Sequence, residues 1–154
     1  MAHSTLVVAS SADVERVGTT THLDESHYPH FHCGNLDAGL LGQVFWDSTD
    51  DQQRFAKTVG AIELVHRHSN ADESVVVHAL PRTLSERYAR MNDVELDELY
   101  VRWCSDRSRI RLHRPKEFDR RVMGEIARLA KIAVREDRIL LVRTTFRSSH
   151  GKRL

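Results

Sequence analysis

One long amphipathic segment constrains the fold more than any other part of this 154-residue chain. Between positions 118 and 135 the apolar residues recur every three or four positions, which is the spacing of one buried helix face. A short apolar run bounded by charges, 138–143, follows directly and predicts a buried strand. An alternating run at 110–112 precedes it. The region from 109 to 146 is therefore expected to form a strand–helix–strand unit.

Short β-branched runs separated by turn residues predict the other strands, at 5–9, 40–46, 62–68 and 75–77. For 62–68, continuation of a preceding helix is the alternative. Residues 27–34 are expected to be extended, and residues 10–25 to form a loop or frayed hairpin. Capping residues predict helices at about 50–59, at 83–91 with a capping box from Thr83 to Glu86, and after Asn92 or Asp93.

Strands and helices without a regular alternation are typical of the α+β class. We therefore predict a single compact domain over 1–146, with a mostly antiparallel sheet packed by three or four helices. The long helix is expected to cover one side of this sheet. Residues 147–154 are small, polar and basic, and are predicted to form a flexible tail.

The charge of the chain is distributed unevenly. Residues 1–100 contain 7 Lys/Arg against 16 Asp/Glu, a balance of −9, whereas residues 101–154 contain 16 against 6, a balance of +10. A basic pole of this kind predicts an anionic partner, either nucleic acid or an acidic protein. Alternatively, the two halves pack against each other, or two copies dimerise head to tail, so that their charges largely cancel. The alternative function is a non-enzymatic interaction or regulatory protein whose basic pole meets an acidic protein or a second copy of itself.

Several classes of protein do not fit the composition. No apolar run is long enough to cross a bilayer, and the first residues lack the basic flank and apolar centre of a secretory signal. The two cysteines, Cys33 and Cys104, are far apart and form no CxxC motif, which is typical of reduced thiols. These features predict a cytoplasmic protein without a membrane segment.

The basic residues of the C-terminal third follow a helical stripe. Three arginines on the long predicted helix are spaced by seven residues, and a lysine falls between them, giving a stripe about 20 Å long. Arginine binds phosphate oxygens in bidentate geometry. Together with one arginine of the following strand and one of the basic tail, they form the predicted nucleic-acid contacts: Arg121, Arg128, Lys131, Arg135, Arg143 and Arg147.

Ten histidines are present, and four of them form two H-x-H pairs, His30/His32 and His66/His68. Alternate residues of a strand point to the same face, so each pair presents two imidazoles side by side. If the two strands are neighbours, the four imidazoles could converge on a divalent transition metal such as zinc or manganese. Further ligands could come from Cys33, Glu63 and Glu73.

The second pair resembles part of the first cupin motif, G-x5-HxH-x3,4-E, through Gly60, His66, His68 and Glu73. This resemblance implies a β-barrel with a metal centre. The closing glycine of that motif is missing here, and no second motif follows.

The triplet His30-Phe31-His32 looks like the metal-binding triplet of HUH-type replication and transposition nucleases. The resemblance implies a phosphodiester nuclease in which a helical tyrosine attacks while the two histidines hold a cation. The candidates for that tyrosine are Tyr88 and Tyr100, each on a predicted helix. The lysine that often follows the family's tyrosine has no counterpart. Whether the chain is an enzyme therefore stays open.

Overall fold

A computed structural model describes residues 2–34, 62–105 and 116–147 of the chain. The strands are β1 (Ala2–Ala9), β2 (His30–Gly34), β3 (Glu63–Ser69), β4 (Glu73–Ala79) and β5 (Ile139–Arg147). The helices are α1 (Val14–Thr19), α2 (Arg82–Ala89), α3 (Asp93–Ser105) and α4 (Lys116–Glu136), and a 3-10 turn at Ser11–Asp13 precedes α1.

The five strands form one antiparallel sheet in the order β2-β1-β5-β4-β3. The first and last strands of the chain pair along their whole length, from Ala2 opposite Phe146 to Ala9 opposite Ile139. The predicted α+β domain with an antiparallel sheet is confirmed. Strand β5 lies at the centre between β1 and β4, and β2 and β3 form the two edges among the described strands.

The longer helices cover one face of the sheet, which we call the helix face. Strand residues that alternate toward this face, such as Leu6, Val8 and Val142, pack against α4 through Ile126 and Leu129. All five side chains are fully buried. The predicted helix at 118–135 is thus confirmed, and its apolar stripe is the principal contact that fixes it on the sheet.

The opposite face, which we call the open face, carries a second and smaller core. Val7 and Leu141 alternate toward it and pack with Val17 of α1 and with Tyr28. The predicted loop at 10–25 is therefore partly wrong, because it contains the 3-10 turn and α1. The β-branched residues and glycine of this segment disfavour a helix locally, whereas burial of Val17 against the sheet stabilises one.

Gly18 of α1 lies directly on the ring of His66. A Cβ placed on Gly18 would lie 2.1 Å from Cδ2 and 2.7 Å from Nε2 of that ring. In an unconstrained helix, replacing glycine by alanine stabilises by about 1 kcal/mol. Here we expect Gly18→Ala to lower the free energy of unfolding by about 1–3 kcal/mol, because the ring must move.

Urea denaturation measures this effect, and the same substitution in a His66→Ala background is the control. Without the ring, the alanine should be neutral or stabilising. A Gly18→Ala protein as stable as the unchanged chain would show that α1 does not approach His66 so closely.

Helix starts show one wrong and one correct prediction. The N-cap of α2 is Pro81 and no side chain caps it, so the predicted box from Thr83 to Glu86 does not form. At α3, by contrast, the Glu95 N–H donates to Asn92 Oδ1 at 2.8 Å, and the Asn92 N–H donates to Glu95 Oε1 at 3.2 Å. These two bonds are the reciprocal capping box, so Asn92 is the predicted cap.

The remaining predictions divide between confirmed elements and residues outside the described ranges. The segment 62–68 is a strand and not a continued helix, and β5 extends through Arg147. The predicted strands at 40–46 and 110–112, the helix at 50–59 and the tail beyond 147 lie outside the described residues. No helix within the described ranges is long and apolar enough to span a membrane.

Candidate functional site

The two H-x-H pairs lie at opposite edges of the sheet. His30 and His32 are on β2, and His66 and His68 are on β3, with β1, β5 and β4 between them. Four strand spacings of about 4.8 Å separate the two edges by roughly 19 Å. The two strands are not neighbours, so the four imidazoles cannot share one ion. Within the described ranges, no three His, Cys, Asp or Glu side chains are grouped to hold a metal.

The β3 pair is divided between a covered and an uncovered imidazole. The Nε2 atom of His66 is buried under Gly18 and has no hydrogen-bond partner. His68 is exposed. The two rings therefore do not present equivalent nitrogen atoms to solvent.

The β2 pair has a more ordered geometry. The rings of His30 and His32 meet edge to face, with their centroids 5.2 Å apart. The Nδ1 atom of His30 lies 2.8 Å from the Tyr28 carbonyl oxygen and 3.0 Å from a carboxylate oxygen of Glu25. The Nδ1 atom of His32 lies 2.9 Å from the hydroxyl of Thr5.

These contacts determine which nitrogen atoms remain available. A carbonyl oxygen can only accept, so Nδ1 of His30 carries a proton and donates to Tyr28. In both rings the protein uses Nδ1, and Nε2 is left for another partner. Histidines that bind ligands or metals are commonly oriented through one ring nitrogen in this manner.

Arg143 belongs to the same cluster although the sequence separates it from the histidines by more than a hundred residues. Thr5 of β1 pairs with His32 on one side and with Arg143 on the other, so the three side chains form a row on the open face. Nη2 of Arg143 donates to the Thr20 carbonyl at 2.8 Å, whereas Nε is buried and has no hydrogen-bond partner in the part of the chain that the structure describes.

This environment changes the protonation of the cluster. Burial lowers the pKa of His32, and the charges of His30 and Arg143 lower it further, while Glu25 opposes them. His32 is thus neutral at neutral pH. Burial also lowers the pKa of Arg143, which nevertheless stays charged because the ordinary value of an arginine is so high.

The tyrosines lie on the other side of the sheet from these imidazoles. Tyr88 is fully buried in the helix-face core, and Tyr100 packs against that same core. An attacking tyrosine and the two histidines would have to meet at one phosphate. The structure therefore does not bring together the catalytic set that the nuclease resemblance implies. The open sheet likewise does not fit the barrel that the cupin resemblance implies.

Two arginines of α4 contact β2, and Arg138, which follows α4, contacts the segment before β2. The guanidinium carbon of Arg121 lies 5.4 Å from the centroid of the Phe31 ring. Arg128 donates to the His30 carbonyl at 3.4 Å, and Arg138 donates to the His27 carbonyl at 3.0 Å. Arg138 was not among the contacts predicted from the sequence, because it lies after α4 and outside its seven-residue arginine spacing.

Lys131 and Arg135 lie further round α4, beside α2. Both are exposed, and with Arg90 they line a groove of about 400 Å³ whose other walls are Glu86, Ala89 and Val134. The basic stripe of α4 thus runs between the β2 edge and this groove.

Ion pairs between the two halves of the chain cancel only part of the charge asymmetry. Arg120 pairs with Asp97 at 2.7 Å, and Arg147 lies 3.8 Å from Glu73. Among the residues whose side chains the structure describes, which exclude 102–105 and 116–119, no carboxylate lies within 4.0 Å of the side-chain nitrogens of Arg121, Lys131 or Arg135.

The six predicted nucleic-acid contacts therefore fall into two groups. Four lie on α4, whereas Arg143 and Arg147 alternate toward the open face of β5, where Arg147 lies opposite Glu73. Only the α4 group forms the continuous stripe that the sequence predicted.

Comparison with known protein families, with curated proteins and with solved structures finds no match.

Proposed function

We propose that this protein binds nucleic acid through the exposed basic stripe of α4, formed by Arg121, Arg128, Lys131 and Arg135. The observation that carries the proposal is the run of four exposed cations on α4, three arginines spaced by seven residues and Lys131 between the last two. Arg121, Lys131 and Arg135 lack a carboxylate partner among the residues whose side chains the structure describes. The fourth, Arg128, shares its charge with Glu125.

The length of the stripe suits a phosphate backbone. Fourteen residues separate Arg121 from Arg135, which is about 21 Å along a helix. Successive phosphates of one DNA strand lie about 3.4 Å apart along the duplex axis, so a strand running along α4 passes several of them. The side chains need not move far to meet it, because a straight helix already presents them in line.

The β2 edge gives this stripe a fixed border. Arg121 and Arg128 contact Phe31 and the His30 carbonyl, which limits the conformations of their long side chains. An arginine held in place loses less entropy when it binds a phosphate than one that moves freely in solvent. The aromatic content is low, so we expect backbone recognition and not stacking of successive bases.

Salt dependence tests this proposal directly. For four phosphate contacts on duplex DNA, raising the salt concentration from about 50 to about 200 mM should weaken binding roughly a hundredfold, because each contact releases condensed counterions. Fluorescence anisotropy with a short labelled duplex and a labelled single-stranded RNA measures the affinity at each concentration.

Two results would contradict the proposal. One is the absence of binding at the lower salt concentration, and the other is an affinity that does not change with salt. In either case a salt-sensitive homodimer in sedimentation would instead identify the basic stripe as a contact for the acidic half of a second copy.

A further inference from the structure

We propose that Arg143, His32 and His30 form a binding site for one phosphoryl group on the open face of the sheet. This site is separate from the α4 stripe, which lies on the helix face. Two observations support the site. They are the positions of the three side chains on the sheet and the polar atoms that already hydrogen-bond within the protein.

The two imidazole rings of His30 and His32 are held in place by the protein. Both rings are fixed through Nδ1, His30 by the Tyr28 carbonyl and Glu25, and His32 by Thr5. Rings that are fixed in this way keep Nε2 in a defined direction without loss of further side-chain entropy. Their centroids, 5.2 Å apart, allow both Nε2 atoms to reach oxygens of a single small ligand.

Arg143 carries a positive charge that is partly buried. Its guanidinium is half-buried in the row beside Thr5, and none of the described residues makes a hydrogen bond with its Nε atom. A desolvated charge without a contacting counter-ion is costly for a folded protein. Within the described ranges no carboxylate contacts this guanidinium, and Glu73 acts on it only through its field. An anion bound beside Arg143 would compensate the charge.

The surroundings of the two histidines favour an anion over a metal ion as the ligand. The charge of Arg143, which acts on His32 across β1, repels a cation and attracts an anion. The histidines also lack a third His, Cys, Asp or Glu ligand among the described residues, as a zinc site requires. Glu25 lies on the Nδ1 side of His30, where it orients the ring. The local chemistry therefore favours an anion.

A phosphoryl group fits these side chains better than a carboxylate does. The Arg143 guanidinium offers donors from β5, whereas Nε2 of His30 accepts in the neutral ring, because Nδ1 carries the proton, and donates only in the imidazolium form. A protonated phosphate oxygen can donate to such a nitrogen atom, which an ionised carboxylate cannot do. A carboxylate presents two oxygens in one plane, whereas a phosphoryl group presents three in a pyramid and carries more charge. The arrangement suits the phosphoryl group better.

Nuclear magnetic resonance of the whole protein tests the site, with inorganic phosphate as the probe. We expect saturable shifts of the His30 and His32 ring signals and a higher pKa of His32, because a bound anion stabilises the imidazolium form. His32→Gln should weaken phosphate binding about tenfold or more, the value of a charge-assisted hydrogen bond. His68→Gln, which removes an exposed histidine of the other pair, should leave binding unchanged.

Arg143→Lys is the second variant, since it keeps the charge but not the planar donor group, and it should also weaken binding. If it does not fold, the His32 result alone decides. A lack of saturable shifts overturns the proposal. Equal binding of acetate overturns the assignment to a phosphoryl group. Stoichiometric binding of zinc at His30 and His32, without an effect of phosphate, overturns it in favour of a metal site.

Further arms of the experiment separate the sources of the phosphoryl group. A 5′-phosphorylated dinucleotide that binds more tightly than inorganic phosphate and than the unphosphorylated dinucleotide assigns the site to nucleic-acid ends. Equal affinity for inorganic phosphate and the phosphorylated dinucleotide assigns it to a phosphoryl group regardless of its carrier. Variants of Arg121 and Arg128 should bind inorganic phosphate normally, so this proposal and the proposed function can fail independently.

Discussion

Replacing Tyr88 by alanine is expected to lower the free energy of unfolding by about 3–5 kcal/mol, the usual cost of truncating a fully buried aromatic side chain. Tyr88 has no exposed surface and packs in the helix-face core with Leu84, Leu99 and Met123. A cavity of that size between α2, α3 and α4 cannot be refilled without moving a helix.

Chemical denaturation measures the loss, and Val94→Ala is the control. Val94 lies on the outer side of α3 and is 65% exposed, so its truncation should change stability by less than about 0.5 kcal/mol. Tyr88→Phe separates structure from chemistry, since it keeps the ring and removes the hydroxyl. We expect Tyr88→Phe to bind nucleic acid like the unchanged protein. A folded Tyr88→Ala protein of nearly full stability would contradict the buried position.

Local patterns predicted the elements whose periodicity is strong. The α4 helix combines a wide apolar stripe with a basic face, and burial on the sheet agrees with its local preference. Strand β5 follows as an apolar run that is buried on both faces of the sheet, which explains its lack of alternation. Agreement between local preference and tertiary packing made both elements predictable.

The order of the strands could not be predicted in the same way. Pairing of β1 with β5 joins residues about 140 positions apart, and a local pattern contains no information on such contacts. For the same reason the sequence could not show that the two H-x-H pairs lie on opposite edges of the sheet. Their sequences are similar and do not indicate which edge each strand occupies. Helix α1 escaped prediction because tertiary burial of Val17 outweighs a weak helix preference.

The residues of the candidate site were likewise predictable from the sequence only in part. His30, His32 and Arg143 were named from the sequence, but for two different sites. The sheet places His32 and Arg143 in one row across Thr5, with His30 two residues away on β2. Thr5 and Glu25 were not named at all. Threonine and glutamate are ordinary residues at such positions, and only their contacts with the ring nitrogens distinguish them.

Reversing two charges of the α4 stripe should remove most of the proposed nucleic-acid binding. In Arg121→Glu/Arg128→Glu, two phosphate contacts are lost and two repulsive charges are added. We expect the affinity for a short duplex at about 50 mM salt to fall about a hundredfold or more. The logarithmic salt slope should decrease in magnitude by about two, one for each lost phosphate contact.

The cost to stability is expected to be small enough to keep the protein folded. Loss of the contact between Arg121 and Phe31 costs about 0.5–1 kcal/mol at an exposed position. A glutamate at 128 would also face Glu125, which adds a few tenths of a kcal/mol of repulsion along the helix. Circular dichroism before and after heating checks the fold. The neutral pair Arg121→Gln/Arg128→Gln separates lost attraction from added repulsion.

The matched control is Arg67→Glu/Arg87→Glu, which changes the net charge by the same amount. Arg67 is exposed on β3 at the far edge of the sheet, and Arg87 is exposed on α2 among the acidic residues Glu86, Glu95 and Glu98. If a phosphate backbone follows α4, the control pair should bind within about threefold of the unchanged protein, because charges beyond a Debye length of about 14 Å at about 50 mM salt are largely screened. Equal losses in both double variants would show that net charge, and not the α4 stripe, determines the binding.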